Sequence, residues 1–436
     1  MLYENAAFRK ALFVIAVTFP LLCCSCSAAE KEISSGGQEL TLKAFPDWMY
    51  RYYTGLQWQP RAEQRRLSRA VLQQSLALGR RFLLNNQKPA GNFNYQYDFV
   101  KKELDQDDNQ VRQAGALWGL ALLYQYEQDP ATRKALDAGL GFFLERSSPG
   151  PVAESLMIEY PGDASCGTGT VALVAMSIVE YLRTEQAGGC SLTAGYRDRL
   201  RSHLRGYVEH LKAMRREDKH FTKAYYPQTK SFSKGFSSYY DGETILCLIK
   251  AAKYLGYTEL IPLIEESALA MAKYYTADQW PGDPDSKQTK GFFQWSCMAF
   301  WEYQDAGWKH ADTFGDYVLS LAWWMIRTHR TLNRTRNTAY AYEGIIHAYR
   351  LAQDRGDKAA LQELAYTIDT ALYKLTSWQV GGPLQRNNKF LRANPTSDPL
   401  AVGGIMNHRK EAPLRIDVTQ HQTHALILAL KHVYVK

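Results

Sequence analysis

The feature that most constrains this chain is a succession of helical segments whose connections alternate between short and long. Apolar residues recur at three- and four-residue spacing almost throughout, and no convincing alternating run of strand type stands out. The spacing predicts twelve helices, at about 61–87, 109–128, 131–146, 169–185, 194–216, 242–255, 259–276, 292–305, 311–332, 338–353, 358–378 and 418–433. Links leaving even-numbered helices are mostly short, as at Asp129-Pro130, 256–258 and 354–357. Links entering them are often long: 88–108, 147–168, 217–241 and 380–417. In a set of antiparallel hairpins this alternation gathers the long loops on one face, beside the N-termini of the even helices. Long loops on a rigid scaffold are where binding and catalytic groups concentrate.

The two sets of helices differ in composition. Even helices carry small and apolar residues on every side, as in Ala-Gly-Ala-Leu-Trp-Gly-Leu-Ala-Leu-Leu at 114–123 and Val-Ala-Leu-Val-Ala-Met at 171–176. A helix apolar all round is buried all round. Odd helices carry charged stripes at 61–69 and 197–205. The expected fold class is therefore all-α: an inner and an outer ring forming an (α/α)6 toroid of about six helical hairpins over residues 61–436. An open superhelix of helical repeats is the alternative, but it favours short, uniform links.

The first 29 residues have the form of a signal peptide, with a lipoprotein type as one alternative. Arg9 and Lys10 precede the apolar run 11–22, and Cys23, Cys24, Ser25 and Cys26 follow. Lipidation would fall on Cys24 or Cys26, and residues 30–60 read as a linker and N-terminal extension. The expectation is an exported protein, periplasmic, lipid-tethered or secreted, with no other segment apolar enough to span a bilayer. Beyond the leader, Cys166, Cys190, Cys247 and Cys297 form no CxxC pair, which argues against structural zinc. Cys247 and Cys297 lie at similar depth in even helices and read as buried thiols, with a disulfide as the alternative. The formal net charge of +8 favours anionic partners, but no Lys/Arg block is dense enough for nucleic acid. The 28 tyrosines suit a core and also a surface that stacks on sugar rings.

Polar residues cluster where each even helix begins. Tyr95, Tyr97, Asp107 and Arg112 surround the start of the second, where Asp108 or Asn109 serves as cap. The Gly-rich turn 166–170 before the fourth lacks the lysine of a phosphate loop. Tyr239, Tyr240, Asp241 and Glu243 open the sixth, and the two acids cannot point the same way on a helix. Trp295 lies near the start of the eighth, and Arg336 and Tyr342 flank the start of the tenth. Arg336 at a helix N-terminus opposes the macrodipole, so an acidic partner is expected, Asp417 or a ligand. Arg415, Asp417, His421 and His424 open the twelfth. Asp417, His421 and His424 share one face, but three ligands stacked along one helix surround an ion poorly. No metal or cofactor is expected. His421 oriented by Asp417 can instead serve as a general acid or base.

Hairpins whose inner helices open on Asp, Arg, Tyr and His resemble the six-hairpin glycosidase superfamily, over about residues 60–435. The resemblance rests on the architecture and on Asp108-Asn109-Gln110-Val111-Arg112-Gln113-Ala114-Gly115 and Tyr239-Tyr240-Asp241-Gly242-Glu243. No single family's catalytic motif is matched. The resemblance implies a carbohydrate-active protein acting on a poly- or oligosaccharide, neutral or acidic. Hydrolysis would draw paired carboxylates from Asp107, Asp241 and Asp417. Uronate lyase or C5-epimerase chemistry would draw on Tyr239 or Tyr240, His421, and Arg112 or Arg336. A glycan-binding lipoprotein without turnover is the third option, since fold does not decide among them.

Overall fold

A computed structural model describes residues 66–435. The expected leader, its cysteines, the linker and the first residues of the first helix lie outside the described residues.

Thirteen α-helices are present among the described residues: α1 (Arg69–Asn85), α2 (Gln110–Tyr126), α3 (Pro130–Leu144), α4 (Thr168–Gln186), α5 (Ala194–Ala213), α6 (Ser238–Leu255), α7 (Ile261–Lys273), α8 (Lys287–Asp305), α9 (Ala311–Trp323), α10 (Ala339–Asp354), α11 (Lys358–Thr376), α12 (Lys389–Ala393) and α13 (Ile416–His432). Twelve match the expected segments, and α12 is one short turn within the last long link. Caps fix several starts. The Asn109 side chain accepts from Arg112 N–H, Asp129 from Thr132 N–H ahead of Pro130 in the first turn, and Asp357 from Ala360 N–H. The expected ninth helix ends early, because α9 passes into a π-turn at Trp324–Thr328.

The helices form two concentric rings. Inner helices α2, α4, α6, α8, α10 and α13 each pack on the next, and α13 packs on α2. Every residue of α2 from Gln113 to Tyr124 is buried, as an inner position demands. Outer helix α5 instead buries one face, through Leu200, Leu204, Tyr207, Val208 and Leu211. Outer helices α3, α5, α7, α9 and α11 pack on the inner helices that precede them. Helix α1, the first of the described helices, packs on α13. The first and last helices are therefore partners, and the ring is closed by its own ends. An open superhelix would hold them far apart. Close approach at the seam depends on Gly119, where a Cβ would lie 2.5 Å from Gln420 Cγ.

The sequence showed no strands, yet eight short ones are present. They are β1 (Gln96–Asp98), β2 (Glu103–Leu104), β3 (Ser147–Pro149), β4 (Leu156–Ile158), β5 (Cys166–Gly167), β6 (Ala224–Tyr226), β7 (Ser231–Phe232) and β8 (Pro413–Arg415). At two or three residues each they are too short for alternation to register. All lie in links that enter inner helices, so they stiffen the loop-bearing face. The sheet β2-β1-β8 matters most: Gln96 pairs with Arg415, Tyr97 with Leu414 and Asp98 with Pro413. It ties the loop before α2 to the start of α13.

The opposite end of the inner ring is closed by buried charge. Lys250 Nζ lies 2.7 Å from Glu180 Oε1 and 3.1 Å from Glu302 Oε1, and Lys253 reaches Glu302 Oε2 at 2.6 Å. Burial alone would raise the Glu180 carboxyl, but Lys250 and then Arg183 outweigh it and hold it ionised. The C-termini of inner helices converge here, and cations suit that end of the helix dipole. Cys166, Cys190, Cys247 and Cys297 are all free thiols. No helix among the described residues is long and apolar enough to cross a membrane.

Candidate functional site

The N-termini of the inner helices open on the face that carries the long links. Around this mouth the expected residues separate into those that meet and those that do not.

The centre is a carboxylate that sequence reasoning passed over as a site residue. Glu343, in the first turns of α10, is completely buried. His421 Nδ1 lies 3.0 Å from Glu343 Oε1, His424 Nδ1 lies 3.3 Å from the same oxygen, and Gln294 Nε2 donates to Oε2 at 3.2 Å. Burial alone would raise the Glu343 carboxyl, but His421 and His424 outweigh it and hold it below the usual glutamate value. Burial likewise pushes the His421 imidazole down, but Glu343 and then Asp417 outweigh that and raise it. His421 keeps 20% of its side chain exposed. Its Nε2 has no protein partner and remains open to solvent. The ring is thus fixed through one nitrogen and presents the other. His421 was expected to be oriented by Asp417; the orienting carboxylate is Glu343, three helices away in sequence.

Aromatic rings support this pair from below. Trp295 lies edge-on to His421 with centroids 6.2 Å apart, and Trp118 lies edge-on to His424 at 5.0 Å. Trp118 and Trp295 are 5.5 Å apart. Both indoles are buried, so Trp295 is part of the site's floor rather than an exposed platform. Tyr239, in the first turn of α6, is an exposed ring of this face, 44% accessible.

Glu243 lies on the same inner surface. It is almost fully buried, and its Oε2 has no hydrogen-bond partner. Helix α4 admits it only because residue 169 is glycine, where a Cβ would sit 2.2 Å from Glu243 Oε2 and 2.6 Å from Tyr240 Cδ1. Burial raises the Glu243 carboxyl to about 8, so it is mostly protonated at neutral pH. Its Oε1 has no protein partner and keeps solvent contact. A neutral carboxylic acid here can donate a proton or a hydrogen bond.

A third cluster joins α2 to α13. Arg415 grips Asp417 with two bonds, Nε to Oδ1 at 2.9 Å and Nη2 to Oδ2 at 2.7 Å. Arg112 Nε lies 3.3 Å from Asp417 Oδ2, and its Nη1 donates to the Tyr95 hydroxyl. Burial would raise Asp417, but Arg415, Arg112 and His421 together hold it low. The β1–β8 pairing fixes Tyr95 and Arg415 side by side, and Ile416 N–H donates to Tyr95 O at 3.2 Å.

Other candidates are placed elsewhere. Asp241 faces the outer layer, where Oδ2 accepts from His220 Nδ1 and Tyr275 Oη, each at 2.6 Å, and Oδ1 accepts from Phe221 N–H at 2.8 Å. Both of its oxygens are thus bonded to scaffold groups. Asp107 is exposed on the loop before α2, its N–H bonded to Asp105. Asn109 is the cap there, while Asp108 binds Gln113 and Tyr160. Tyr97 is buried and bonds Asp398, and burial followed by that carboxylate pushes its hydroxyl up to about 12. Tyr342 is buried against Thr331. Arg336 is 66% exposed at the rim, and its acidic neighbour is Glu411 at 3.9 Å, not Asp417. Tyr240 packs between α6 and α4 against Gly169. Among the described residues no group of three or more His, Cys, Asp or Glu is arranged to hold a metal ion.

Comparison with known proteins gives the fold a context. No protein-family model matches the chain, and no curated protein matches it in sequence. Among solved structures, a sugar epimerase from a ruminal bacterium superposes with a TM-score of 0.57 at 12% identity, covering 83% of this chain and 98% of its own. A D-mannose isomerase gives 0.55 at 11% identity, covering 83% and 96%. A glycoside hydrolase family 76 α-mannanase from Bacteroides thetaiotaomicron gives 0.53 at 8% identity, covering 84% and 96%. The chain has the six-hairpin (α/α)6 toroid fold that these proteins share, and the likeness is one of fold.

Proposed function

We propose that this protein is a carbohydrate-active enzyme that moves a proton at a sugar carbon next to a carbonyl or carboxyl group, as epimerases and isomerases do. The observation that carries the reading is the His421–Glu343 pair: an imidazole fixed through Nδ1 on a buried carboxylate, with Nε2 open at the mouth. That is the arrangement of an oriented general base. In the reaction His421 Nε2 takes the proton, the C–H electron pair moves toward the carbonyl oxygen, and the neutral Glu243 carboxyl meets the developing negative charge. Return of a proton from solvent to the opposite face of the carbon inverts it; return of the proton from His421 to the former carbonyl carbon, with Glu243 giving its proton to the carbonyl oxygen and taking one from the neighbouring hydroxyl, isomerises the sugar. Tyr239 offers the stacking surface for the ring. Two of the structurally similar proteins bear the names of an epimerase and an isomerase of sugars, which supports this class.

Glycoside hydrolysis is the second reading, favoured by one observation: a protonated carboxyl, Glu243, and an ionised one, Asp417, belong to the same mouth. Of the three expected carboxylates, Asp107, Asp241 and Asp417, Asp241 is committed to His220, Tyr275 and Phe221, and Asp107 lies on the exposed loop before α2.

The test is incubation with a panel of aldoses, uronates and their oligomers in D2O. Deuterium on the carbon next to the carbonyl or carboxyl group is expected, and His421→Asn should slow its entry by about 10²–10⁴-fold. New reducing ends without deuterium would establish the second reading. Unchanged turnover in His421→Asn would sink the first.

A further inference from the structure

Two guanidinium groups at the mouth share one carboxylate. Arg415 occupies both oxygens of Asp417 with a bidentate grip. Arg112 reaches the same carboxylate only at 3.3 Å, through Nε, and keeps 38% of its side chain exposed. Its other protein contact is the neutral Tyr95 hydroxyl. The cluster therefore holds one positive charge more than it holds negative.

Among the described residues Arg112 is ion-paired to no acid but Asp417. The acids before α2 are not available to it: Asp107 lies on the exposed loop, and Asp108 is held by Gln113 and Tyr160. Glu343 is matched by two histidines, and Glu243 is mostly uncharged at neutral pH. Arg112 also stands in the first turn of α2, whose N-terminus carries roughly half a positive charge, and the other inner helices open on the same face. A second buried group points to a ligand here, because the Glu243 carboxyl is sealed into the mouth with Oε2 unpartnered. A cation placed against a helix dipole, beside a carboxylate already saturated by another arginine, is poorly explained as scaffold. An arriving anion would relieve it.

We infer that the substrate is an anionic sugar, whose carboxylate or phosphate is bound by Arg112 beside the Arg415–Asp417 pair. The inference rests on the proposal that this mouth is the substrate site. Arg112 turns Nε to Asp417 and Nη1 to Tyr95 and has no protein partner at Nη2, so a carboxylate would be met by the Nη end of its planar guanidinium. The β1–β8 pairing holds Arg415 opposite Gln96, and Arg112 is tied to the adjoining Tyr95 hydroxyl and to Asp417, so little order need be imposed on binding. The anionic group would sit at the α2–α13 side, with the sugar ring extending toward His421.

The experiment is calorimetric titration of the His421→Asn variant, in which turnover is slowed by about 10²–10⁴-fold. The ligands are glucuronate and galacturonate, glucose 6-phosphate, and the neutral twins glucose and galactose. The expected result is at least tenfold tighter binding of an anionic sugar than of its neutral twin, weakening as salt is raised. The uronate and phosphate arms tell which anion is used. Arg112→Gln should abolish the preference, and Arg112→Lys should restore part of it while leaving the fold intact. Equal affinity for charged and neutral twins, or binding of neither, overturns the inference. A preference that survives in Arg112→Gln overturns it too. Deuterium exchange on neutral sugars alone would leave the proposed reaction standing and remove this substrate class. Tight uronate binding by the wild type without exchange would do the reverse.

Discussion

Replacing Glu343 by glutamine separates the orienting role of this carboxylate from simple packing. The substitution preserves shape and removes the charge that His421 and His424 share. At an effective dielectric of about 20, opposite unit charges at the observed 3.0 Å attract by about 5.5 kcal/mol. Desolvating both groups offsets several kcal/mol of that, and removing one partner of a buried pair typically costs about 3–5 kcal/mol. Glutamine keeps one acceptor oxygen, so the low end, about 3 kcal/mol, is expected. In a domain of this size that lowers Tm by roughly 4 °C. The loss should depend on pH with a definite sign. The Glu343 carboxyl is held below 4.5, so its contribution is present above that value and fades as pH falls through the native value. His421 is raised above 6.5, so its contribution is full below 6.5 and fades as pH rises through the native value. The gap between wild type and Glu343→Gln is therefore widest between pH 4.5 and 6.5 and narrows on both sides. Scanning calorimetry across pH measures it. NMR of 13Cε1-labelled histidines, with His421→Asn to assign the signal, should show the His421 titration moving to lower pH in the variant. A gap that does not vary with pH, or a His421 titration that stays in place, would refute the reasoning.

Two further outcomes follow from the same networks. Asp241→Asn replaces a carboxylate that accepts from three donors, so one donor must face an amide NH2; a loss of about 1–3 kcal/mol in chemical denaturation is expected, with the His421 titration unmoved. Lys250→Met leaves Glu180 and Glu302 short of a cation at the closed end of the ring and should cost about 3–5 kcal/mol. Adding Glu180→Gln to Lys250→Met should recover part of that loss, and a strictly additive double variant would speak against direct coupling.

The ring was legible in the sequence because it imposes two constraints at once. An inner helix must be apolar on every side, and a hairpin ring must put its long links on one face. Both are visible without coordinates, in 114–123 and in the loops that enter the even helices. Closure was not visible in the same way. It depends on α1 pairing with α13, a contact between the ends of the described chain that no local pattern encodes. The small strands were hidden for a different reason. The β1–β8 pair joins segments more than three hundred residues apart in three-residue runs, yet it positions Tyr95, Arg415 and Asp417.

Within the site, the location of the helix ends could be read, but the direction of each side chain could not. Asp241 and Glu243 are two residues apart, so on a helix they point to nearly opposite sides. Composition favoured Asp241, since it stands beside two tyrosines. Packing decided otherwise: outer-layer His220 and Tyr275 claim Asp241, and the glycine at 169 leaves room for Glu243. The missed residue, Glu343, carried a usable signal. It is a lone acid in the apolar stretch Tyr342-Glu343-Gly344-Ile345-Ile346 of an inner helix, where no solvent is at hand to satisfy it. A buried carboxylate needs a cation, and the histidines at 421 and 424 are three residues apart on another inner helix. For outer helices a charge needs no explanation, because water supplies one. For inner helices each charge demands a partner, and pairing those charges across the ring brings Glu343 to His421 before any coordinate is known.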